Sequence, residues 1–346
     1  MAPDPASPVL VDVFRGDRVE SCHRGALAVV HADGRLLLAL GDVDRPVYPR
    51  SAVKALQAIP LVGSGAAEAF ELSDAELAVA CASHSGEQVH LDAVASLLAK
   101  ANLRERDLAC GAHWPFSEAT ARALLRAGRR PRAIHNNCSG KHAGMLATAM
   151  HLGFDPSGYE TPDHPVQAMI TRVLSETCGA DLDPGCMGID GCSLPTYAMP
   201  LRALARGFAR FGMGAGVPPE RARAGRRLMA ACFAKPVLVS GEGRFDTTVL
   251  RGLSGTAFTK GGAEGVHCAA LPDLGLGIAL KIDDGAKRGA ERALAEVLAA
   301  LLPKARAVLA NELDGELHNW RGLRVGRMSA GAALAGALAD LPGKTS

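Results

Sequence analysis

Between residues 137 and 145 the chain runs Asn137-Cys138-Ser139-Gly140-Lys141-His142-Ala143-Gly144-Met145. A thiol, a hydroxyl, an amine and an imidazole stand among glycines, which let a backbone approach a ligand closely. Three further polar clusters accompany this run: Ser51-Ala-Val-Lys54, Cys81-Ala-Ser83-His84-Ser85-Gly86-Glu87 and Thr259-Lys260-Gly261-Gly262. Only nine residues of the chain are Lys, yet Lys141 and Lys260 both sit beside glycine in such a cluster.

Ser51-x-x-Lys54 has the i, i+3 spacing that brings a hydroxyl and an amine to one helix face. A serine is a poor nucleophile at neutral pH. An amine whose pKa is depressed by burial or by nearby positive charge can take its proton. Ser51 also falls near a helix start, where free backbone N–H groups can stabilise an oxyanion. Taken alone, the motif fits an ordinary surface Ser and Lys equally well. Its order along the chain adds weight: Ser-x-x-Lys, then a short Ser-containing loop at 83–86, then Lys-Gly. The same order is found in class A β-lactamases and penicillin-binding proteins. The third element here is Lys-Gly-Gly rather than Lys-Thr-Gly, and residues 1–8 lack the pattern of an export signal. Both points argue against a β-lactam target.

Cys138-x-x-Lys141 and the Gly-hinged Asp190-Gly191-Cys192 suggest metal ligation. Two thiolates suit zinc, with Lys141 or His142 as a third ligand and an open position for water or substrate. A lysine ligand must lose its proton to the metal. The competing reading is two buried, unpaired thiols. His142 is the histidine placed to meet a ligand, whereas His151 suits a structural role. Gly140-Lys141 lacks the upstream glycine of a phosphate loop, which excludes nucleotide binding of that type.

These groups need a scaffold. Asp33-Gly34 between apolar arms at 26–30 and 36–40 predicts a hairpin. Helix signals fill 52–62, 74–83, 91–101, 118–127, 144–152, 165–177 and 219–233, with Asp74 at a capped start. Strand signals return at 247–250, 266–271 and 277–282, with a turn at 271–275. A helix over 286–302 and a strand over 323–328 follow, before an Ala/Gly-rich tail expected to fray. Strands at both ends and helices between them predict an α+β fold: one antiparallel sheet built from both chain ends, flanking helices and a central helical insertion. The whole chain, 1–346, is expected to form a single catalytic unit, sheet-bearing over 9–50 and 236–330 and mainly helical over 51–235.

Composition bounds the rest. Hydrophobic residues make up 48% and charged residues 21%, which fits a globular core. A net charge of +2 with scattered Arg and 4% aromatics gives no nucleic-acid footprint. No apolar run is long enough to span a bilayer. Nine Cys without a disulfide-scaffold spacing fit reduced thiols and a cytoplasmic location.

With these motifs together, the sequence resembles the rhizobial-type L-asparaginase II family, from about residue 9 to 328. The likeness rests on Pro49-Arg50-Ser51-Ala-Val-Lys54, Ser83-His84-Ser85-Gly86-Glu87, the run from Asn136 to Gly144, Gly188-Ile189-Asp190-Gly191-Cys192 and Lys260-Gly261-Gly262. It implies a serine β-lactamase/glutaminase-like fold and hydrolysis of L-asparagine to L-aspartate and ammonia. It further implies two Ser-Lys pairs, Ser51 with Lys54 and Ser83 with Lys260, with Ser51 matching the nucleophile. The resemblance matches Cys138, Lys141 and Cys192 to a zinc site that assists substrate binding, and Arg50, His142 and Asp190 to residues around the substrate. A homodimer is implied as well. Two alternatives stay open: an amidohydrolase in which Zn²⁺ activates water, and a non-catalytic binder of amino acid or zinc.

Overall fold

The long strand β2 (Arg18–His31) explains most of the architecture. Over residues 26–30 it carries only Ala, Leu and Val, and all five are buried. Alternate side chains point to opposite sheet faces. Ala26, Ala28 and Val30 enter one hydrophobic core, and Leu27 and Val29 enter another. A strand covered on both faces reads as a continuous apolar run. A computed structural model describes residues 5–341. In it, β1 (Val9–Arg15) pairs with the first half of β2, and β3 (Leu36–Leu40) takes the same edge beside the second half. The other edge of β2 is held by β6 (Leu276–Ile282), followed by β5 (Val266–Leu271) and β4 (Phe258–Gly261). The short β7 (Glu316–His318) and β8 (Arg324–Ala330) complete the far side next to β1. Every pairing is antiparallel.

The sheet therefore joins the two ends of the chain, as the pattern predicts. The helical middle covers one face, chiefly through Leu201–Met213, whose Leu201, Leu204, Phe208 and Phe211 are buried. The helix Lys287–Leu301 covers the other face with Leu294, Val297 and Leu298. Among the described residues, no helix is long and apolar enough to cross a membrane.

Four expectations need correction. The segment 247–250 lies inside the helix Phe245–Gly252, because Phe245, Val249 and Leu250 form one buried helical stripe. The segment 52–62 is broken into a 3₁₀ turn (Arg50–Val53) and two short helices (Lys54–Gln57 and Ile59–Gly63), with Pro60 starting the last. The cap near 74 is Ser73, whose N–H donates to the Glu76 carboxylate at 2.7 Å in a capping box. The tail expected to fray instead forms the helix Ala332–Ala339, held by buried Leu334 and Leu338. Residues 342–346 of that tail, and residues 1–4, lie outside the described residues.

Candidate active site

The site begins at an unfavourable backbone. Arg50 adopts a left-handed conformation, φ +51°. Non-glycine residues pay for this, and such strain gathers at functional sites. The Arg50 guanidinium is fixed to Asp190 Oδ1 by a hydrogen bond from Nε at 2.8 Å and an ion-pair contact from Nη2 at 2.7 Å. The left-handed turn leads straight into the 3₁₀ segment that carries Ser51. Beside it lies the end of β4. A Cβ on Gly262 would stand 2.7 Å from the Pro49 carbonyl oxygen, so only glycine lets strand and turn meet. That contact gives the second glycine of Lys260-Gly261-Gly262 a physical reason.

Lys54 is completely buried, and its amine donates to the Ala82 carbonyl (2.6 Å), Ser83 Oγ (3.0 Å) and the Asn137 carbonyl (3.3 Å). Three acceptors match the three N–H bonds of an ammonium. The expected meeting of Ser51 and Lys54 is thus not what the geometry gives. Among the described residues the Ser51 hydroxyl has no hydrogen bond, and Lys54 turns to Ser83. Lys260 approaches Ser83 from the other side, donating to Ser83 Oγ (2.9 Å) and the Gly261 carbonyl (2.8 Å). One serine hydroxyl therefore stands between two buried amines. Burial lowers the pKa of both, and Lys260 is brought down to about 8.

Two groups that the sequence did not single out steady this arrangement. Asp246 is buried; its Oδ1 lies 2.8 Å from His267 Nε2, and its Oδ2 accepts from the Gly261 N–H at 3.0 Å. Burial alone would raise its pKa. His267, Lys260 and the Gly261 N–H outweigh that and hold it far below the usual carboxylate range. A lone Asp and a lone His in ordinary segments carried no spacing signal that could have revealed them.

Behind Lys54 lies a sulfur-rich cluster. Cys138 and Cys192 are buried, hydrogen-bonded to one another and free of disulfides. The Lys141 amine donates to Cys192 Sγ at 3.2 Å. The bond from Cys192, with Lys54 and Lys141 nearby, holds the Cys138 thiol well below its usual range. Cys192 is pushed up as the partner that keeps the proton. Burial works to lower Lys141, but the two sulfurs and Asp190 prevail and hold it above the ordinary lysine value. Gly140 opens this helix (Ser139–His151) against a neighbouring one: a Cβ there would lie 2.1 Å from the Val79 carbonyl oxygen. His142 is fully buried, with Nδ1 2.5 Å from the Tyr159 hydroxyl and, among the described residues, no partner for Nε2. His151 bonds the Ser64 carbonyl at 3.0 Å, a structural role.

A cavity of about 350 Å³ opens over these groups, lined among others by Ser51, Ser83, Asn137, Arg244 and Lys260. Its size is at the small end of ligand sites. Lys54, Cys138, Lys141 and Cys192 lie outside its wall, as do Arg50, Asp190 and His142. Eight of the ten expected site residues join in two networks, Lys260–Ser83–Lys54–Cys138–Cys192–Lys141 and Arg50–Asp190, and Ser51 shares the cavity wall with Ser83 and Lys260. His142 stands apart.

A family model described as L-asparaginase II matches residues 11–330. The chain belongs to the L-asparaginase II family. No curated protein matches this family member. Among solved structures it is similar to an engineered simvastatin synthase from Aspergillus terreus, with 12% identity over 83% of this chain and 92% of that one and a TM-score of 0.42. A putative β-lactamase from Bacteroides dorei is 14% identical over 75% and 84%, TM-score 0.36. A β-lactamase from Mycobacterium bovis is 16% identical over 83% and 94%, TM-score 0.30. In this L-asparaginase II chain, Asp246, His267 and Arg244 are among the cavity residues that the sequence motifs missed.

Proposed function

We propose that this protein hydrolyses the side-chain amide of L-asparagine by serine chemistry. The observation that carries this reading is Ser83 Oγ between Lys54 and Lys260 on a cavity shared with Ser51; membership of the L-asparaginase II family supplies the substrate class. Ser51 attacks the amide carbon, forming the Oγ–C bond and placing the carbonyl electron pair on oxygen. Backbone N–H groups at the start of the 3₁₀ turn hold that oxyanion. The Lys54–Ser83–Lys260 relay takes the serine proton and returns it to the nitrogen as the C–N bond breaks and ammonia leaves. Water then hydrolyses the β-aspartyl ester with the relay as base. A second reading has Ser83 itself attack, favoured by its two amine contacts.

The relay predicts a pH dependence. To accept a proton Lys260 must be neutral, and its pKa is about 8. Below that value kcat/KM should fall about tenfold per pH unit, and above it should level off. A profile flat from pH 6 to 9 would count against Lys260 as base.

We further propose that Cys138, Cys192 and Lys141 hold Zn²⁺. The donor chemistry fits: two sulfurs, one already depressed toward thiolate, and an amine on the second sulfur. Among the described residues no three His, Cys, Asp or Glu side chains gather to hold a metal, so the set depends on its lysine. Binding must displace the Lys141 proton, so affinity should rise with pH. The ion would supply positive charge that orients the substrate. Arg50 and Asp190 would brace the ligand loop, and His142 would support the helix carrying Lys141. Chelation is expected to raise KM for L-asparagine while kcat stays within a few-fold. Complete loss restored by Zn²⁺ would favour the metal-activated water instead. Ammonia release from L-asparagine and from L-glutamine by the purified protein tests the whole reading. Release from neither would favour a binding protein.

A further inference from the structure

The cavity contains one guanidinium that the catalytic chemistry above does not use. Arg244 lines it together with Ser51 and Ser83, at the start of the helix Phe245–Gly252. Among the described residues it makes no ion pair and no side-chain hydrogen bond. Its Nε is buried without a partner, an arrangement that costs free energy unless a ligand completes it. The Phe116 ring, 6.0 Å from its Cζ, steadies the group from one side. No nearby carboxylate pairs with it: Glu264, which also lines the cavity, is exposed and forms no ion pair among the described residues. Asp246 holds His267 and Gly261, Glu242 holds Arg251, and Glu291 holds Lys287. The other arginine near the site, Arg50, is fixed to Asp190 and does not line the cavity.

We propose that Arg244 is the receptor for the α-carboxylate of the amino-acid substrate. A planar guanidinium with free N–H groups matches a carboxylate in geometry and charge. On the cavity that it shares with Ser51 and Ser83, it would hold the α-carboxylate end of the substrate and leave the side-chain amide to the serines. The assignment rests on the amidohydrolase reading for its substrate, and makes Arg244 the determinant for α-amino acids over simple amides.

The test uses the intact protein and two product-like ligands. L-aspartate carries the α-carboxylate, and 3-aminopropanoate is the same molecule without it. Calorimetry should give L-aspartate about tenfold tighter binding or more, the range of charge-assisted hydrogen bonds. In Arg244→Gln the ratio should fall to near one, and in Arg244→Lys it should be partly kept. Arg244→Lys also guards against misfolding of the neutral variant. In parallel, Arg244→Gln should raise KM for L-asparagine by about tenfold or more and change kcat less than threefold. A ratio unchanged in Arg244→Gln overturns the assignment. So does a wild-type protein that binds both ligands equally or neither. Ammonia release by the wild type is read separately. Its absence alongside an Arg244-dependent ratio would remove the hydrolase reading and keep the receptor.

Discussion

Ser51→Ala is expected to reduce ammonia release from L-asparagine by about 10⁴- to 10⁶-fold, the scale of losing a nucleophile. Its melting temperature should barely move. The Ser51 hydroxyl has no hydrogen-bond partner among the described residues, so its loss should change stability by less than about 0.5 kcal/mol. Ser83→Ala should behave differently. It removes the acceptor shared by two buried amines at 3.0 and 2.9 Å. That should cost about 1–3 kcal/mol of stability, with a loss of about 10²–10⁴ in turnover if Ser83 only relays protons. Assays and thermal unfolding of both variants separate the two serines. An electrophilic asparagine analogue, followed by peptide mass mapping, would show which one becomes acylated. A Ser51→Ala protein turning over within tenfold of wild type would transfer the attack to Ser83.

The second large effect concerns folding. Asp246→Ala leaves His267, Lys260 and the Gly261 N–H around an empty buried position, and the loss of a buried charge partner costs about 3–5 kcal/mol. Urea unfolding at pH 7 should show it as a lower midpoint. Asp246 has a folded pKa depressed from 3.8, so it contributes its stabilisation above the unfolded value, near pH 4. The contribution is lost as pH falls from there toward the folded pKa. The gap between wild type and variant should therefore be full at pH 7 and smaller at pH 3. An equal gap at both values would mean that the carboxylate's charge does not matter, only its shape.

Much of the scaffold was legible because its signals are local. Asp33-Gly34 between apolar arms marks the β2–β3 hairpin, and Pro272 to Gly275 marks the turn between β5 and β6. The segment 247–250 misled because Thr-Thr-Val-Leu favours a strand, while burial of Phe245 beside Val249 favours a helix, and packing overrides propensity. β1 went unseen because its apolar residues are interrupted by Asp12 and its pairing with β8 lies more than three hundred positions away. The site was legible as clusters, and the resemblance paired Ser83 with Lys260. Residue spacing suggested Ser51 with Lys54, yet the short broken helix sends that amine to Ser83. Arg244, Asp246 and His267 stand alone in sequence, and only folding brings them to one wall.

Ser83 and Lys260 are 177 positions apart. The strand that carries Lys260 belongs to a sheet whose central member, β2, waits for β6 as its neighbour on one edge. A chain still being synthesised, with only its first 250 residues made, can form the β2–β3 hairpin and many helices but cannot assemble the relay. Contacts of such long sequence separation are slow to close, because loop entropy is lost before they reward it. Until they close, the apolar edge of β2 stays open to other chains. The proposed activity is thus a late property of the chain, gained when its last third arrives, and the yield of molecules with an assembled relay should depend on what shields β2 until then.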